Sequence, residues 1–257
     1  MPCERSSRPG LRRMGVALAS VVVAALVGAC APAGFSPSDG ASETGGTAET
    51  GGAAEPRTSS GITGLALSAL GTLPVKGRSP RTGYARGLFG QAWSDVDRNG
   101  CDTRNDVLRR DLMPLTLKLG TKGCLVLSGT LHDPYLGTTT FFVRGRSTSS
   151  LVQIDHVVPL SDAWQKGAQQ WSTPRRTAFA NDPLNLLAVD GLTNQRKSDG
   201  DAATWLPPSK PYRCSYAARQ ITVKSKYGLW VTAAERDALG RILATCPSQT
   251  LVAAGRP

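Results

Sequence analysis

The sequence predicts an α+β fold in which an antiparallel sheet is followed by a C-terminal helical hairpin. Short segments in which apolar and polar residues alternate occur between residues 115 and 158, as expected for half-buried strands. Two segments near the C-terminus, 212–227 and 233–245, carry apolar residues at helical spacing instead. Four cysteines, an even number, are distributed over the same part of the chain, which is the arrangement expected of an exported domain with disulfides.

The first 30 residues have the pattern of an export signal. A basic stretch precedes an apolar run at residues 15–29, which has the length of a signal-peptide core and is short for a membrane-spanning helix. Small residues followed by Cys30 end the run, as in the lipobox of bacterial lipoproteins, in which the cysteine is acylated. Ordinary cleavage near Ala31 or Ala33 is the alternative. We therefore predict a signal peptide over 1–30, with Cys30 as a lipidation site and the protein outside the cell or anchored to the outer face of its membrane.

Residues 31–60 consist almost entirely of Ala, Gly, Ser, Thr, Glu and Pro. Such a segment cannot bury enough apolar surface to offset the entropy lost on ordering, so we predict a disordered tether. A flexible chain of this length spans on the order of 30 Å. One folded domain is predicted over residues 61–257, with its functional motifs in 151–201.

The charge of the folded part favours a polyanionic partner. The chain has 30 Lys and Arg against 19 Asp and Glu, a formal net charge of +11. The first 60 residues contain equal numbers of each, so the whole excess lies in residues 61–257. A basic domain attracts nucleic acid and gains binding free energy from counterion release. Since many secreted proteins are basic, the charge alone does not decide the function.

The predicted elements follow one another along residues 61–257. A short helix is expected around residues 65–70, and Asp102 is expected to cap a helix over 103–112. Four strands are predicted after it, at residues 115–119, 124–131, 138–143 and 151–158. This antiparallel sheet is expected to lead directly into Asp155 and His156.

The C-terminal helices predict one disulfide by their geometry. Gly228 is expected to end the first helix, and Thr232 with Glu235 forms a capping box at the start of the second. In an antiparallel hairpin the start of the first helix lies beside the end of the second, and each of these ends carries a cysteine. The predicted pair is therefore Cys214 with Cys246. This leaves Cys101 and Cys124 to form the second predicted pair. The sequence contains no C-x-x-C pair, which argues against a structural zinc site.

Three short segments carry the residues from which chemistry can be inferred. They are Ile154–Leu160, Asn181–Asp190 and Thr193–Asp199. Asp155 and His156, followed by hydrophobic residues and a proline, resemble the first motif of the HNH, or ββα-metal, nuclease family. Asn185 resembles its middle asparagine and Asn194 its last position. The chain from about Tyr84 onward is similar to a group of secreted actinobacterial HNH-family proteins, including their paired cysteines.

The resemblance implies a ββα-metal HNH core that hydrolyses phosphodiester bonds. His156 is then the general base, a role that the intrinsic pKa of histidine suits. One divalent cation, Mg²⁺ or Mn²⁺, is then held by Asp155 and Asn194, whose oxygens are the hard ligands that these ions prefer. Asn185 is implied to position the His156 segment through hydrogen bonds.

Two further assignments concern the substrate and the metal. Arg196 and Lys197 directly follow the last motif and could hold the substrate phosphate. Relatives can carry a third metal ligand two residues before the last asparagine, where this chain has Leu192. Asp190 is the substitute candidate for that ligand.

The predicted function is an exported, metal-dependent HNH endonuclease. Nucleic acid is the expected partner, with DNA favoured over RNA. Contact with the membrane is expected only through a lipid anchor on Cys30, and no obligate protein partner is evident. The alternative is a tethered cell-surface protein that binds nucleic acid and has a vestigial nuclease site. His132, the only other histidine, is expected to be structural, and Asp95–Gly100 resembles a calcium loop, although a turn before the next helix is favoured.

Overall fold

The computed structural model describes residues 64–253, and these contain seven α-helices and five β-strands. The helices are α1 (Ala66–Thr72), α2 (Thr103–Asp111), α3 (Leu160–Gln165), α4 (Thr173–Ala180), α5 (Gly191–Lys197), α6 (Arg213–Tyr227) and α7 (Ala233–Leu243). The strands are β1 (Leu112–Leu117), β2 (Val126–Asp133), β3 (Thr138–Val143), β4 (Val152–His156) and β5 (Leu186–Asp190). The predicted signal peptide, the tether and Cys30 lie outside the described residues. No helix within residues 64–253 combines the length and the apolar character that crossing a membrane requires.

The strands form two separate antiparallel sheets. β1, β2 and β3 pair in chain order, whereas β4 pairs with β5, so that His156 lies opposite Leu186. The prediction of one sheet that leads into Asp155 and His156 is therefore wrong. The reason lies in burial, because β4 is almost wholly buried and requires a buried partner. β5 is apolar and buried along most of its length, whereas Phe142 is the one buried residue of β3.

Helix α2 packs against both sheets. Its residues Val107 and Leu108 lie in one apolar core with Phe142 of β3 and with Ile154 and Leu186 of the β4–β5 pair. Asp102 caps the helix as predicted, since its carboxylate accepts a hydrogen bond of 2.9 Å from the backbone of Asn105. The shared core holds the two sheets together.

The segment before α2 forms a turn. The carboxylate of Asp95 accepts hydrogen bonds from the backbone amides of Asn99 and Gly100, at 3.1 and 2.9 Å. The disulfide between Cys101 and Cys124, with 5.1 Å between the two Cα atoms, then ties this turn to the start of the sheet. This disulfide confirms one of the two predicted pairs.

The C-terminal helices form the predicted hairpin. Gly228 ends α6 in the left-handed conformation, and Thr232 caps α7 by accepting a hydrogen bond from the backbone of Glu235. The second predicted disulfide, Cys214 with Cys246, is present and has a Cα–Cα distance of 6.4 Å. Helix α1 covers the hairpin and packs against both of its helices.

A buried ionic network joins the hairpin to α3. Lys166, directly after α3, and Lys224 of α6 are fully buried, and Lys166 donates to Glu235 of α7 at 2.6 Å. Asp162 and Asp201 also form ion pairs with these lysines. Glu235 was expected to turn back onto its own helix as part of a capping box, but its carboxylate goes to the lysines instead, because two buried cations need compensating charge.

Candidate active site

Strand β4 ends at His156, and the end of this strand opens into a polar cavity of about 310 Å³. Asp155, His156 and Asn194 all line it. The sequence motifs therefore converge in space as expected, although they lie up to 39 residues apart in the chain. The remaining wall carries mainly polar and charged side chains, among them Arg81, Tyr84, Arg86, Ser161 and Asp199.

Asn185 fixes the chain just beyond His156. Its side chain is completely buried, and its Oδ1 accepts a hydrogen bond of 2.8 Å from the backbone amide of Val158. Its Nδ2 donates to the carbonyl of the same residue at 3.2 Å. The backbone carbonyl of Asn185 also accepts a bond of 2.8 Å from Val157. Three hydrogen bonds from one residue hold the segment that leaves β4.

His156 is held in one tautomer. Its Nε2 lies 2.8 Å from the backbone carbonyl of Ala180. Since a carbonyl oxygen only accepts, Nε2 carries the proton and Nδ1 of the neutral ring is left as the acceptor. The indole of Trp93 stacks on the imidazole, with 6.2 Å between ring centroids and 17° between the planes.

The electrostatic environment keeps this imidazole neutral. Only 7% of His156 is exposed, and burial is the main cause that lowers its pKa to about 3. The positive charges of Arg86 and Lys197 lower the pKa further, against the raising effect of the bond to Ala180. The ring is therefore unprotonated across the neutral pH range, and so low a pKa makes it a weaker base than an ordinary histidine.

Asp155 is buried and paired. Its Oδ1 accepts from Nζ of Lys197 at 3.0 Å, and its Oδ2 accepts from the hydroxyl of Tyr135 at 2.5 Å. Burial raises the pKa of Asp155, while the charge of Lys197 and the bond from Tyr135 oppose that rise. Each carboxylate oxygen still has lone-pair capacity beyond these bonds.

The placement of Lys197 corrects one prediction. Lys197 was expected to hold the substrate phosphate, but only 2% of it is exposed. Its ammonium group instead donates to Asp155 and, at 2.8 Å, to the backbone carbonyl of His156. The reason is that the last turn of α5 packs onto β4, so that a side chain at this position points inward and must neutralise the buried carboxylate.

The other predicted site residues in or next to α5 do not all lie at the polar cavity. Asn194 donates from Nδ2 to Gln153 at 2.9 Å, and no described residue donates to its Oδ1. Arg196 is exposed and lines a neighbouring surface depression together with Arg81, not the polar cavity itself. Asp190 caps α5 through its Oδ1, which accepts from Thr193, and it is not among the residues that line this cavity.

The residues present could hold a divalent metal with few protein ligands. Asp155 and Asn194 bring one carboxylate and one amide oxygen to the same cavity wall, and both are hard ligands. Within residues 64–253 no group of three or more His, Cys, Asp or Glu side chains is arranged to hold an ion. Mg²⁺ commonly keeps several waters and binds through one or two carboxylates plus substrate phosphate. The donor set fits that mode and does not fit a closed cage of protein ligands.

Sequence reasoning missed the segment that faces His156 from the N-terminal side. Arg86 lies in a 3₁₀ turn at Arg86–Phe89, and this turn approaches α4 so closely that a Cβ at Gly90 would lie 2.2 Å from the Thr177 hydroxyl. Gly90 also has a φ of 85°, which favours glycine. The cluster of arginines at residues 81–86 was the available signal, but no spacing rule links it to residues 70 positions later.

Comparisons with known proteins show the family to which the chain belongs. Residues 102–242 match the family described as "GmrSD restriction endonucleases, C-terminal domain". A relative named "Uncharacterized secreted protein", from Arthroderma benhamiae, is 42% identical over 183 residues, which is 70% of this chain and 84% of the relative. The matched range contains the residues that converge on the polar cavity from β4 and α5.

Proposed function

Because this chain belongs to the family of the C-terminal domain of GmrSD restriction endonucleases, we propose that it is a metal-dependent endonuclease whose reaction takes place in the polar cavity at the end of β4. One observation carries the proposal. His156 donates its Nε2 proton to the carbonyl of Ala180, which leaves Nδ1 as the acceptor of the neutral ring, and it lines the same cavity as Asp155 and Asn194. Hydrolysis of a phosphodiester requires such a base and such a cation site together.

The order of the elements supports an HNH assignment. β4 and β5 form an antiparallel pair, and α5 begins at the residue after β5. We propose that these three elements are the ββα-metal core, and that the closer grouping with secreted actinobacterial HNH-family proteins holds as well. Asn185 then has the positioning role, since its bonds to Val157 and Val158 fix the exit of β4.

The proposed mechanism gives each side chain one task. Nδ1 of His156 accepts the proton of the attacking water, and the ring stays oriented by the Nε2 bond to Ala180. Asp155 and Asn194 would hold one Mg²⁺ or Mn²⁺, which supplies positive charge to the phosphate and to the departing 3′ oxygen. Arg86 is exposed, forms no ion pair with a described residue and lines the cavity, so it is placed to hold a phosphate oxygen. The products would carry 5′-phosphate and 3′-hydroxyl ends.

The proposed setting is extracellular, with DNA as the favoured substrate. Both disulfides suit an oxidising compartment, and the related protein from Arthroderma benhamiae is named as secreted. The net charge of +11 suits a nucleic-acid substrate, and we propose no obligate protein partner. Cys30 is proposed as a lipid anchor.

One observation favours a second candidate, a nucleic-acid-binding protein with a vestigial site. The carboxylate of Asp155 already has a cationic partner in Lys197, which reduces its attraction for a metal ion. A plasmid-nicking assay with Mg²⁺, with Mn²⁺ and with EDTA separates the two candidates. Nicking that requires the metal supports the nuclease, whereas binding without nicking under all three conditions supports the vestigial site.

A further inference from the structure

A second cavity, of about 280 Å³, adjoins the polar one. Its walls come from residues 86–93 and from Leu160, Ala180 and Asn181, and it also reaches His156. Arg86, His156 and Leu160 line both cavities. A substrate whose phosphate lies in the polar cavity can therefore place a covalently attached group in the second one.

The second cavity has an aromatic wall at Trp93. This residue is half-buried, and its ring is nearly parallel to that of His156. Its backbone has a φ of 60°, a left-handed conformation that bulky residues rarely adopt. Such conformations persist where the surrounding structure needs the side chain in one place, and they cluster at ligand sites. A flat indole on a cavity wall suits a flat aromatic ligand.

Asn181 lines the second cavity and has a hydrogen-bond acceptor, enclosed in this structure, that no described residue satisfies. Only 1% of this residue is exposed. Its Nδ2 donates to the carbonyl of Thr177 at 2.9 Å, which orients the amide, and its Oδ1 has no partner among the described residues. A buried acceptor without a donor is costly, so a group with an N–H or O–H is expected to approach it.

The volume and the lining of the second cavity indicate which kind of chemical group it binds. Small-molecule sites commonly have volumes of about 300–1,000 Å³, so a cavity of about 280 Å³ suits one small ring system and not a longer fragment. A nucleobase has a face that stacks on an aromatic side chain and an edge that carries N–H donors. A sugar lacks the flat face, and an aliphatic group lacks the donor.

We propose that this cavity binds one unpaired nucleobase of the substrate while the adjoining phosphate lies beside His156. The base stacks on Trp93 and donates a hydrogen bond to Oδ1 of Asn181, and Arg86 contacts the backbone between the two cavities. Because a paired base keeps its donor edge turned toward its partner strand, the enzyme acts on single-stranded or locally opened nucleic acid. This proposal rests on the proposed nuclease function.

The test is a binding measurement in EDTA, in which no cleavage occurs. Fluorescence anisotropy compares a labelled single-stranded DNA 8-mer with 8-mers that have the same phosphates but one abasic position, moved stepwise along the strand. Removal of one particular base is expected to weaken binding by about 5- to 150-fold, the range that alanine substitution gives for base stacking. Trp93→Leu is expected to abolish this difference between the two kinds of strand.

Matched variants show whether a change in the abasic penalty comes from loss of the base site or from a general change in the structure. Trp230→Leu changes a tryptophan whose Nε1 donates to Gly77 and which lines neither cavity, so it should keep the abasic penalty. Asn181→Leu removes the acceptor and should lose part of the abasic penalty. Thermal unfolding of each variant identifies any that fails to fold, and the comparison of Trp93→Leu with Trp230→Leu tests the proposal without the Asn181 variant.

The outcomes distinguish this proposal from the proposed function. Equal affinity for intact and abasic strands at every position would overturn the base site, even if the wild-type protein nicks DNA with Mg²⁺. An abasic penalty that depends on Trp93, in a protein that cuts no nucleic acid, would support the base site and overturn the nuclease.

Discussion

The ammonium group of Lys197 lies 3.0 Å from Oδ1 of Asp155, and both side chains are buried. The same ammonium group bonds to the backbone carbonyl of His156, so one lysine links the proposed metal ligand to the proposed base. This contact holds α5 against the end of β4. It makes Lys197 a positioning residue, whose removal should affect the fold of the site before it affects any contact with substrate.

The first prediction concerns this ion pair. Lys197→Met should lower the free energy of unfolding by about 3–5 kcal/mol, because it leaves a buried carboxylate without its counter-charge. Arg196→Met is the matched control, since that side chain is exposed, and it should change stability by no more than about 0.5 kcal/mol. Urea unfolding measures both. Equal stability of the two variants would show that Lys197 is not the structural partner of Asp155.

The second prediction concerns Arg86. Arg86→Ala should weaken DNA binding in EDTA and reduce the slope of log affinity against log salt by about one, because one phosphate contact is lost. Arg236→Ala removes the same charge from an exposed position of α7 and should leave both quantities nearly unchanged. A salt slope that does not differ between the two variants would remove Arg86 from the phosphate site.

The third prediction concerns acid. Burial alone would raise the pKa of Asp201, but Lys166 and Arg78 reverse that effect and lower the pKa to about 2. The pKa of Asp162 is lowered in the same network, chiefly by Lys224 and Lys166 against its burial. A carboxylate with a depressed pKa in the folded state stabilises the fold above its unfolded pKa of about 3.9, and this stabilisation is lost as the pH falls through the folded value.

The free energy of unfolding should therefore fall between about pH 4 and pH 2, as measured by urea unfolding at a series of pH values. Asp201→Asn should be less stable than the wild type at pH 7 and should show a shallower fall in this window. Asp237→Asn is the control, since Asp237 is exposed on α7. A fall of the same depth in Asp201→Asn as in the wild type would mean that Asp201 does not contribute.

The fourth prediction concerns export. If Cys30 is acylated, Cys30→Ser should release the protein from membranes or alter its processing, and globomycin should have the same effect on the wild type. Fractionation with mass analysis of the mature N-terminus measures this. A wild-type protein that is entirely free in the medium and cleaved after Ala31 or Ala33 would contradict the lipid anchor.

Local patterns predicted much of the helical structure. The C-terminal hairpin and its disulfide followed from apolar spacing, the stop at Gly228 and the cap at Thr232, all of which act within a few residues. The pairing of β4 with β5 was not predicted, because strand partners are chosen by burial across about 30 residues of intervening chain. The prediction included four of the five strands, and β5, the partner of β4, was not among them.

In the candidate site, too, local motifs were predictable from the sequence, whereas contacts between distant segments were not. Asp155, His156 and Asn194 were recognisable from their motif and do line one cavity. The inward direction of Lys197 was not readable, since a lysine beside an arginine at the end of a helix usually faces solvent. Trp93 reaches His156 from a separate segment with no periodic pattern, so only the folded chain shows that contact.

The most direct test of the central claim is plasmid nicking by His156→Ala, with His132→Ala as the control. His132 is exposed on β2, contacts Thr139 and lines neither cavity, so its loss should leave the rate nearly unchanged. With Mg²⁺ or Mn²⁺ present, His156→Ala should cut the rate by about 10²–10⁴-fold, the usual contribution of a general base, while DNA binding in EDTA persists. Nicking at the wild-type rate by His156→Ala, with His132→Ala inactive, would contradict the assignment of the base and of the cavity in which it lies.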